Sequence, residues 1–330
     1  MTQATTPGKI MLVGLGPGSH DYLTARARAA IAEADTVIGY ATYIRLVKDL
    51  LDGKEVIKKA MTEELDRAIE AYDRAKLGKK VALISSGDAG VYGMAGPTFE
   101  VLFQAGWTPP DGENGGIEVE IVPGASALNT CASLVGAPLT HDFCAISLSD
   151  LLTPWPTIAR RLDAVAYSDF VVALYNPKSG RRTRQIQEAQ RIFLRHRDPQ
   201  TPVAIVKSAF RAKQRIEFTT LEKMTESDIG MLTTVLIGNS NTFIKHGLMI
   251  TPRGYANKYD VEIGNSAARA GEKRGVSLST GLNGWLAEIH ASGESPAELA
   301  RRYRLPEDYI AAVLSEPLDT EDDEAEAVSE

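Results

Sequence analysis

The chain has 330 residues, enough for two domains of medium size at about 150 residues each. Its composition, 44% hydrophobic and 24% charged, is ordinary for a globular enzyme, and its net charge of −7 argues against a nucleic-acid partner. No apolar run reaches the roughly 18–20 residues of a membrane span, so no membrane partner is expected. Because the start of the chain lacks the apolar segment of a secretory signal, we expect a cytoplasmic protein. Cys131 and Cys144 have no ligating companions nearby, which predicts buried thiols and no metal site.

The first half of the chain, residues 9–142, alternates apolar runs with helical stretches. Its predicted strands are Lys9–Gly14, Thr36–Gly39, Glu55–Ile57, Lys80–Ser85 and Glu118–Ile121. Helices are predicted at Leu23–Glu33, from its apolar face, and at Glu63–Lys76, from its alternating charges. Strands that alternate with helices indicate an α/β domain built on a mainly parallel sheet.

The first predicted strand runs into a glycine-rich turn, residues 14–18, which brings backbone groups close to a ligand. A dinucleotide-binding fingerprint requires glycine where this chain has Ser19. Pro17 also removes one N–H donor, which is unfavourable in a loop that cradles a pyrophosphate. The second strand ends at Tyr40 where that fold requires an acidic residue, so a dinucleotide-dependent oxidoreductase is excluded.

Residues 143–259 repeat the alternation and predict a second α/β domain. Its strands are expected at Phe143–Ser147, Asp169–Tyr175, Pro202–Lys207, Arg215–Thr219 and Thr233–Gly238, and a helix at Thr183–Arg195. Residues 260–283 lack periodicity and predict a linker. Residues 284–316 recover helical spacing, with a capping box at Ser295–Glu298, and indicate a small helical extension. The acidic residues 317–330 are expected to be disordered.

Four loops stand at the ends of predicted strands, where open α/β sheets place ligands. They are residues 14–18, 85–93, 122–127 and 174–178. Any one of them alone is consistent with ordinary turn geometry, but the four in this order are more specific. The first three offer backbone groups, small hydroxyls and one carboxylate, Asp88, but no lysine for a triphosphate. This chemistry favours adenosine and amino-acid moieties and disfavours a kinase.

With these loops the chain resembles the tetrapyrrole (corrin/porphyrin) methylases. The resemblance rests on residues 13–18 followed by 23–27, on 86–88 with 91–93, and on 123–127, and it extends over roughly residues 9–255. Within the family, residues 39–43, 175–179 with Arg181 and Arg182, and 237–240 with Thr242 resemble the branch that methylates precorrin-3B. The last 70 or so residues match no part of the family core.

The resemblance implies two consecutive α/β domains with a cleft between them, usually in a homodimer. It implies that S-adenosylmethionine is the methyl donor and lies in the cleft. The implied reaction, part of cobalamin biosynthesis, methylates precorrin-3B at ring carbon 17 and contracts the macrocycle to give precorrin-4. The substrate is then precorrin-3B or a related polycarboxylate tetrapyrrole, with or without cobalt. The alternatives are a precorrin or cobalt-precorrin methyltransferase that acts at a different ring carbon, and a tetrapyrrole carrier without enzymatic activity.

Carried over residue by residue, the resemblance assigns donor-binding positions in both halves of the chain. They are Gly16, Pro17, Gly87, Asp88, Val91, Tyr92, Ser126 and Ala127 from the first half, and Tyr175, Asn176, Ala209 and Gly238 from the second. Ring contraction requires a general base within hydrogen-bond reach of a substrate hydroxyl, and the candidates are Asp88, His141 and then Asp35. Alternatively, Asp88 accepts N–H bonds in its own turn, and His141 only orients the connection between the domains.

A polycarboxylate substrate calls for guanidinium groups around its pocket, since arginine binds carboxylates in a bidentate manner. Arg181 and Arg182 follow one candidate loop, and Arg211 follows the strand predicted at Pro202–Lys207. We expect these three side chains to bind the substrate carboxylates. Tyr40 is expected to stack on the macrocycle, whereas core packing is expected for Tyr43 and Trp107.

Overall fold

The structure is a computed structural model of the chain. It describes residues 8–60, 62–110, 116–262, 265–270, 272, 274–275, 277–278 and 285–315. The chain divides into two compact units, Met1–Thr251 and Pro252–Glu330. The predicted acidic tail, residues 317–330, lies outside the described residues. None of the helices among the described residues combines the length and the apolar composition that a membrane span requires.

The first sheet of the larger unit is parallel throughout and has the strand order β3-β2-β4-β1-β5. Its strands are β1 (Lys9–Gly14), β2 (Thr36–Tyr40), β3 (Glu55–Lys59), β4 (Lys80–Ser85) and β5 (Glu118–Val122). The helices in this half are α1 (Ala25–Glu33), α2 (Ala41–Leu46), α3 (Glu64–Lys76), α4 (Ala95–Gln104) and α5 (Ala127–Val135). All five predicted strands are present, with ends that differ by at most two residues.

Strand β1 lies in the middle of the hydrophobic core. Successive side chains of a strand point to opposite faces of the sheet. Met11 and Val13 therefore join the cluster beneath α1, and Ile10 and Leu12 join the cluster beneath α3 and α4. The sequence of a strand that is buried on both faces is a continuous apolar run, and for this reason both ends of β1 could be predicted. Its carboxyl end is consequently held rigidly between β4 and β5.

The second sheet has the strand order β10-β9-β11-β8-β7 and is mixed. Its strands are β7 (Phe143–Ser147), β8 (Val171–Tyr175), β9 (Pro202–Lys207), β10 (Arg215–Thr220) and β11 (Thr233–Ile237), and its helices are α6 (Trp155–Tyr167) and α7 (Gln185–Phe193). Strands β7 and β8 are parallel, but β11 is antiparallel to both of its neighbours, and β10 to β9. The connection between β9 and β10, residues 208–214, is shorter than the crossover that parallel pairing would require.

A small third sheet joins residues that are distant along the chain. It contains β6 (Gly136–Ala137), β12 (Phe243–Lys245) and β13 (Leu248–Ile250), in the order β12-β13-β6. These short strands were not expected from the sequence. The predicted boundary between two domains, at residues 142/143, lies between β6 and β7 and stays a prediction, because residues up to Thr251 form one compact unit.

The smaller unit combines a strand pair with three short helices. The elements are β14 (Tyr259–Glu262), β15 (Asn265–Ala268), α8 (Trp285–Ser292), α9 (Pro296–Tyr303) and α10 (Glu307–Ser315). The helices share a core that includes Ile289, Leu299 and Ile310. The capping box forms as expected, because the Glu298 carboxylate accepts the Ser295 N–H at 2.8 Å. The predicted linker, residues 260–283, begins inside the hairpin instead, since backbone pairing holds such strands without any hydrophobic periodicity.

Candidate functional site

The loops that follow β1, β4 and β5 meet at the carboxyl edge of the first sheet. Gly16 and Gly87 exchange two backbone hydrogen bonds, of 3.0 Å from the Gly16 N–H and 2.8 Å from the Gly87 N–H. Both residues have positive φ, 66° and 72°, a conformation that favours glycine. A Cβ atom on Gly124 would lie 2.3 Å from the Gly87 oxygen, and one on Gly14 would lie 2.8 Å from the Gly124 nitrogen. The three loops therefore pack backbone against backbone.

Asp88 stabilises this junction, because both of its carboxylate oxygens accept backbone hydrogen bonds. Oδ1 accepts the N–H of Gly90 in its own turn at 2.8 Å, and Oδ2 accepts the N–H of Gly124 at 2.9 Å. This geometry agrees with the structural alternative for Asp88. Asp35 lies at the opposite edge of the sheet, where its carboxylate accepts the N–H of Lys80 at the start of β4. The structure therefore does not bring Asp35 to the junction.

Next to the junction, Gly87 lies opposite the start of α5. The nearest atoms to a Cβ built on Gly87 would be the Ala127 nitrogen and the Ser126 Cα, both at 3.9 Å. Ser126 is the N-cap of α5, and its hydroxyl accepts the N–H of Asn129 at 3.5 Å. The Tyr175 hydroxyl accepts the N–H of Leu128 in the first turn of α5, and the backbone nitrogen of Ala127 is the helix donor that lies opposite Gly87. Val91 and Tyr92, in the loop after β4, are 39% and 56% exposed.

Two tyrosines link the first sheet's loops to the second sheet. The Tyr175 hydroxyl, at the end of β8, accepts the N–H of Leu128 in the first turn of α5 at 2.7 Å. The Tyr175 ring centroid lies 4.9 Å from that of Tyr92, whose hydroxyl donates to the Ala145 carbonyl at 3.2 Å. Burial raises the pKa of both tyrosines, so both are neutral phenols at neutral pH. The carboxyl end of β8 thus lies against the first sheet's loops.

Asn176 and Arg182 join the loops that follow β7 and β8. Asn176 has a φ of 49°, and its side chain donates to the Ser147 hydroxyl at 3.0 Å. Arg182 donates to the Asn176 carbonyl at 2.9 Å and to the Ser149 hydroxyl at 3.4 Å. The predicted substrate-binding guanidinium of Arg182 is therefore engaged within the protein, whereas Arg181 is exposed.

Arg211 crosses from the turn after β9 to the first sheet's loops. Its Nε donates to the Pro17 carbonyl at 2.5 Å, and its Nη2 donates to the Ser86 hydroxyl at 2.9 Å. Burial lowers the pKa of this guanidinium. Ala209, in the same turn, packs against the apolar cluster beneath α5. Arg211 and Ala209 consequently lie at the same edge of the second sheet as Tyr175, which ends β8.

Gly238 and His141 lie at the other end of the second sheet. Because β11 is antiparallel to β8, the residue after β11 lies beside the start of β9, where the Gly238 N–H donates to the Pro202 carbonyl. His141 precedes β7, and the length of that strand, about 16 Å, separates it from Ser147. Its Nδ1 accepts the Asp142 N–H at 2.8 Å. The structure thus does not bring either residue together with the other predicted site residues.

The aromatic side chains divide between the site edge and the core. Tyr40 ends β2 at the carboxyl edge of the first sheet and contacts Tyr43 edge to face, with 5.4 Å between centroids. Tyr43 packs against the core, and burial raises its pKa. Trp107 donates from its indole N–H to the Ile117 carbonyl and packs against Phe99, so it belongs to the core.

In the described part of the chain, no group of three or more His, Cys, Asp or Glu side chains is placed to hold a metal ion. Burial raises the pKa of the Cys131 thiol, and that of Cys144 to about 11, so both thiols are protonated at neutral pH.

Sequence reasoning missed several polar partners at this site. Ser86, Ser147 and Ser149 hold Arg211, Asn176 and Arg182, respectively. The available signal was a small hydroxyl residue at or just after the carboxyl end of a strand, since such residues bond readily to neighbouring loops.

Comparisons with known proteins agree with this architecture. The family model of the tetrapyrrole (corrin/porphyrin) methylases matches residues 9–225. The chain is 57% identical over 252 residues to a Priestia megaterium protein named cobalt-factor III methyltransferase, a match that covers 76% of this chain and 46% of that protein. It is 45% identical over 246 residues to a Salmonella typhimurium protein named probable cobalt-factor III C(17)-methyltransferase, covering 74% of this chain and 99% of that protein.

Solved structures resemble the chain over a similar extent. The crystal structure of the methyltransferase CobJ has a TM-score of 0.68 at 35% identity, covering 74% of this chain and 99% of that one. A uroporphyrin-III C-methyltransferase from Thermus thermophilus, solved with S-adenyl homocysteine, has a TM-score of 0.54 at 23% identity, covering 70% of this chain and 97% of that one. The second likeness concerns the fold alone.

Proposed function

This chain belongs to the tetrapyrrole (corrin/porphyrin) methylase family, and from that membership we propose that it is an S-adenosylmethionine-dependent methyltransferase of cobalamin biosynthesis. We propose that it methylates cobalt-factor III or precorrin-3B at ring carbon 17 with coupled ring contraction. The observation that carries this proposal is the 45% identity over 99% of the Salmonella typhimurium protein of that name. The chain spans about half the length of the Priestia megaterium relative.

The junction of the three glycine loops supports a site for the methyl donor. The start of α5, which lies opposite Gly87, suits the carboxylate of the donor's methionine moiety, because a helix N-terminus attracts negative charge. Backbone groups and the rings of Tyr92 and Tyr175 suit the adenosine part of the molecule, which is uncharged. When bound, S-adenosylmethionine supplies the methyl group, and the protein's task is to fix its position relative to the ring carbon.

The loops after β7 and β8 support a binding surface for the macrocycle. Leu151 and Leu152 are 75% and 86% exposed, just beyond the point where Arg182 binds Ser149. Arg181 is exposed nearby, and the side chain of Arg184 is 83% exposed. An apolar surface beside exposed guanidinium groups matches a flat macrocycle that carries carboxylates on its rim. We assign the substrate to this surface, next to the donor site.

Asp88 acts as a positioning residue in this proposal. Both of its oxygens already accept backbone N–H groups, so taking a proton from the substrate would disrupt the junction. His141 lies a strand's length from Ser147, which argues against the role of base for it. Holding the loops in place contributes to catalysis through the orientation of the reactants.

The proposal includes a cytoplasmic homodimer. Three apolar side chains of the hairpin formed by β12 and β13 are exposed, Phe243, Ile244 and Leu248. Exposed apolar patches of this kind mark protein interfaces. Sedimentation analysis tests the dimer, and cell fractionation tests the compartment.

The decisive experiment incubates the purified protein with S-adenosylmethionine and, in parallel, cobalt-factor III or precorrin-3B. Mass and absorption spectra should show the gain of one methyl group and a contracted ring with at least one of the two substrates. A methylated product with an intact ring would indicate action at a different carbon. Tetrapyrrole binding without any binding of the donor by calorimetry would indicate a carrier protein and would overturn the proposal.

A further inference from the structure

Arg211 is a half-buried cation without a carboxylate partner among the described residues. It donates to a carbonyl, that of Pro17, and to a hydroxyl, that of Ser86, and both acceptors are neutral. Burial of a charged group is costly unless an opposite charge compensates it. The guanidinium therefore lies in an environment that favours an additional anion.

The loop after β1, residues 14–18, contacts the Arg211 side chain closely. Gly18 has a φ of 113°, and a Cβ atom built on it would lie 2.9 Å from Cδ2 of Leu46 and 3.3 Å from Nε of Arg211. Both contacts are tighter than ordinary van der Waals packing, so glycine at this position leaves room for the Leu46 side chain and for the guanidinium. Pro17 has no N–H, and its carbonyl oxygen accepts the Arg211 bond. Hence this loop directs an acceptor, rather than a donor, toward Arg211.

The turn that carries Arg211 has a constrained backbone. Ser208 and Phe210 adopt φ values of 53° and 55°, which are unfavourable for residues other than glycine. The Phe210 ring lies against Tyr22, with 4.1 Å between centroids, and the Phe210 N–H donates to Gln214 at 2.7 Å. Strained conformations persist where surrounding contacts enforce them, and they cluster at functional sites. The turn therefore holds Arg211 in one position.

The remaining donors of Arg211 lie on one edge of the guanidinium. Nε and one N–H of Nη2 are engaged, and no described residue accepts a hydrogen bond from Nη1 or from the second N–H of Nη2. Arginine binds carboxylates through two parallel N–H bonds of this kind. The available edge thus has the geometry that a bidentate carboxylate requires.

We propose that Arg211 is a positioning residue that couples the binding of the two substrates. One edge of its guanidinium holds the loops after β1 and β4, through Pro17 and Ser86, and the other edge binds a carboxylate of the tetrapyrrole. This inference rests on the proposed function and adds a linkage to it. By reciprocity, occupancy of either site by its ligand strengthens binding at the other.

The test measures the affinity for S-adenosylhomocysteine by calorimetry, with and without saturating cobalt-factor III. In the unmodified protein we expect the tetrapyrrole to tighten that affinity about tenfold, within the usual range of coupling. In Arg211→Gln the two ligands should bind independently. Arg211→Lys keeps the charge but loses the bidentate edge, and should retain only part of the coupling.

Arg215→Gln is the matched control, since Arg215 lies on β10, four residues further along, and pairs with the exposed Asp228 at 3.8 Å. This variant should keep the full coupling. Thermal unfolding of each variant shows whether it folds, and Arg211→Lys serves if Arg211→Gln does not. Full coupling in folded Arg211 variants, or no coupling in the unmodified protein, would overturn the inference. Absence of methyl transfer by the unmodified protein would instead overturn the proposed function.

Discussion

The Asp88 carboxylate accepts the backbone N–H of Gly124 at 2.9 Å, and this bond joins the loops after β4 and β5. Asp88→Asn replaces one of the two acceptor oxygens with an NH2 group. That group cannot accept the backbone N–H that the oxygen accepts, so one of the two hydrogen bonds is lost. Loss of a hydrogen bond to a charged group costs about 1.5–3 kcal/mol. We therefore expect S-adenosylhomocysteine affinity and kcat/KM to fall together, each by about 10–100-fold, as measured by calorimetry and steady-state kinetics.

Asp52→Asn changes an exposed carboxylate before β3 and should leave both quantities unchanged. A large fall in kcat with unchanged donor affinity in Asp88→Asn would show that Asp88 is the general base instead.

The backbone contact between Gly124 and Gly87 predicts a sharp difference between two glycine substitutions. A Cβ atom on Gly124 would lie 2.3 Å from the Gly87 oxygen, whereas one on Gly96, in the first turn of α4, would meet nothing within 4 Å. Gly124→Ala should therefore lower the free energy of unfolding by about 1–3 kcal/mol. Gly96→Ala should leave it unchanged or raise it by up to about 1 kcal/mol. Urea unfolding measures both, and equal stability of the two variants would contradict the packed junction.

The ion pairs of Glu120 predict how stability depends on acid. Its carboxylate accepts a hydrogen bond from Nε of Arg26 at 2.6 Å and lies 2.9 Å from Nζ of Lys9. The hydrogen bond from Arg26 is the main cause that lowers the Glu120 pKa to about 2. A carboxylate with a lowered folded-state pKa stabilises the protein above its unfolded pKa, about 4.3, and loses that contribution as the pH falls toward 2.

Glu120→Gln should therefore flatten part of the fall in unfolding free energy between pH 4.5 and pH 2, as followed by urea unfolding. Since the Glu120 side chain is 27% exposed, we expect a difference of about 1 kcal/mol or less. Glu118→Gln, at a side chain that is 61% exposed, is the control and should change the profile less. Parallel profiles for the unmodified protein and Glu120→Gln would refute this account.

The exposure of Leu151 and Leu152 predicts that these side chains affect binding of the tetrapyrrole but not binding of the methyl donor. Replacing both with serine removes apolar surface that is in contact with water in the free protein, so the melting temperature should not change. We expect the KM for the tetrapyrrole to rise about 3–30-fold, from partial loss of leucine burial, while donor affinity stays constant.

Leu77→Ser, at the end of α3, changes a leucine of comparable exposure, 68%, and should have no effect on KM. If the double variant keeps its KM but dissociates in sedimentation experiments, the two leucines pack between copies of the chain instead.

The first sheet could be predicted closely because its strands are buried. Strands β1 and β4 match their predicted bounds, since parallel strands covered on both faces read as unbroken apolar runs. The location of Gly238 could not be predicted, because composition does not tell whether β11 runs parallel or antiparallel to β8. Gly238, which the resemblance assigns to the donor site with Tyr175, therefore lies at the opposite edge of the second sheet from Tyr175.

Part of the candidate site, but not all of it, could also be predicted from the sequence. The loops at Gly16 and Gly87 could be placed together, because the carboxyl ends of parallel strands share one edge of a sheet. The bond from Arg211 to Pro17 could not, because it joins residues 194 positions apart whose types are common in turns. Side chains that cross between sheets depend on tertiary packing, which local patterns do not encode.

The junction of Gly14, Gly87 and Gly124 is built from main-chain atoms, and this has a consequence for engineering. Such a surface offers few side chains to vary, so it suits a ligand that stays the same from one reaction to the next. The loops that end at Leu152 and Arg182 expose side chains that can be exchanged freely. Retargeting the proposed methyl transfer to another tetrapyrrole should therefore begin with those loops and leave the glycines untouched.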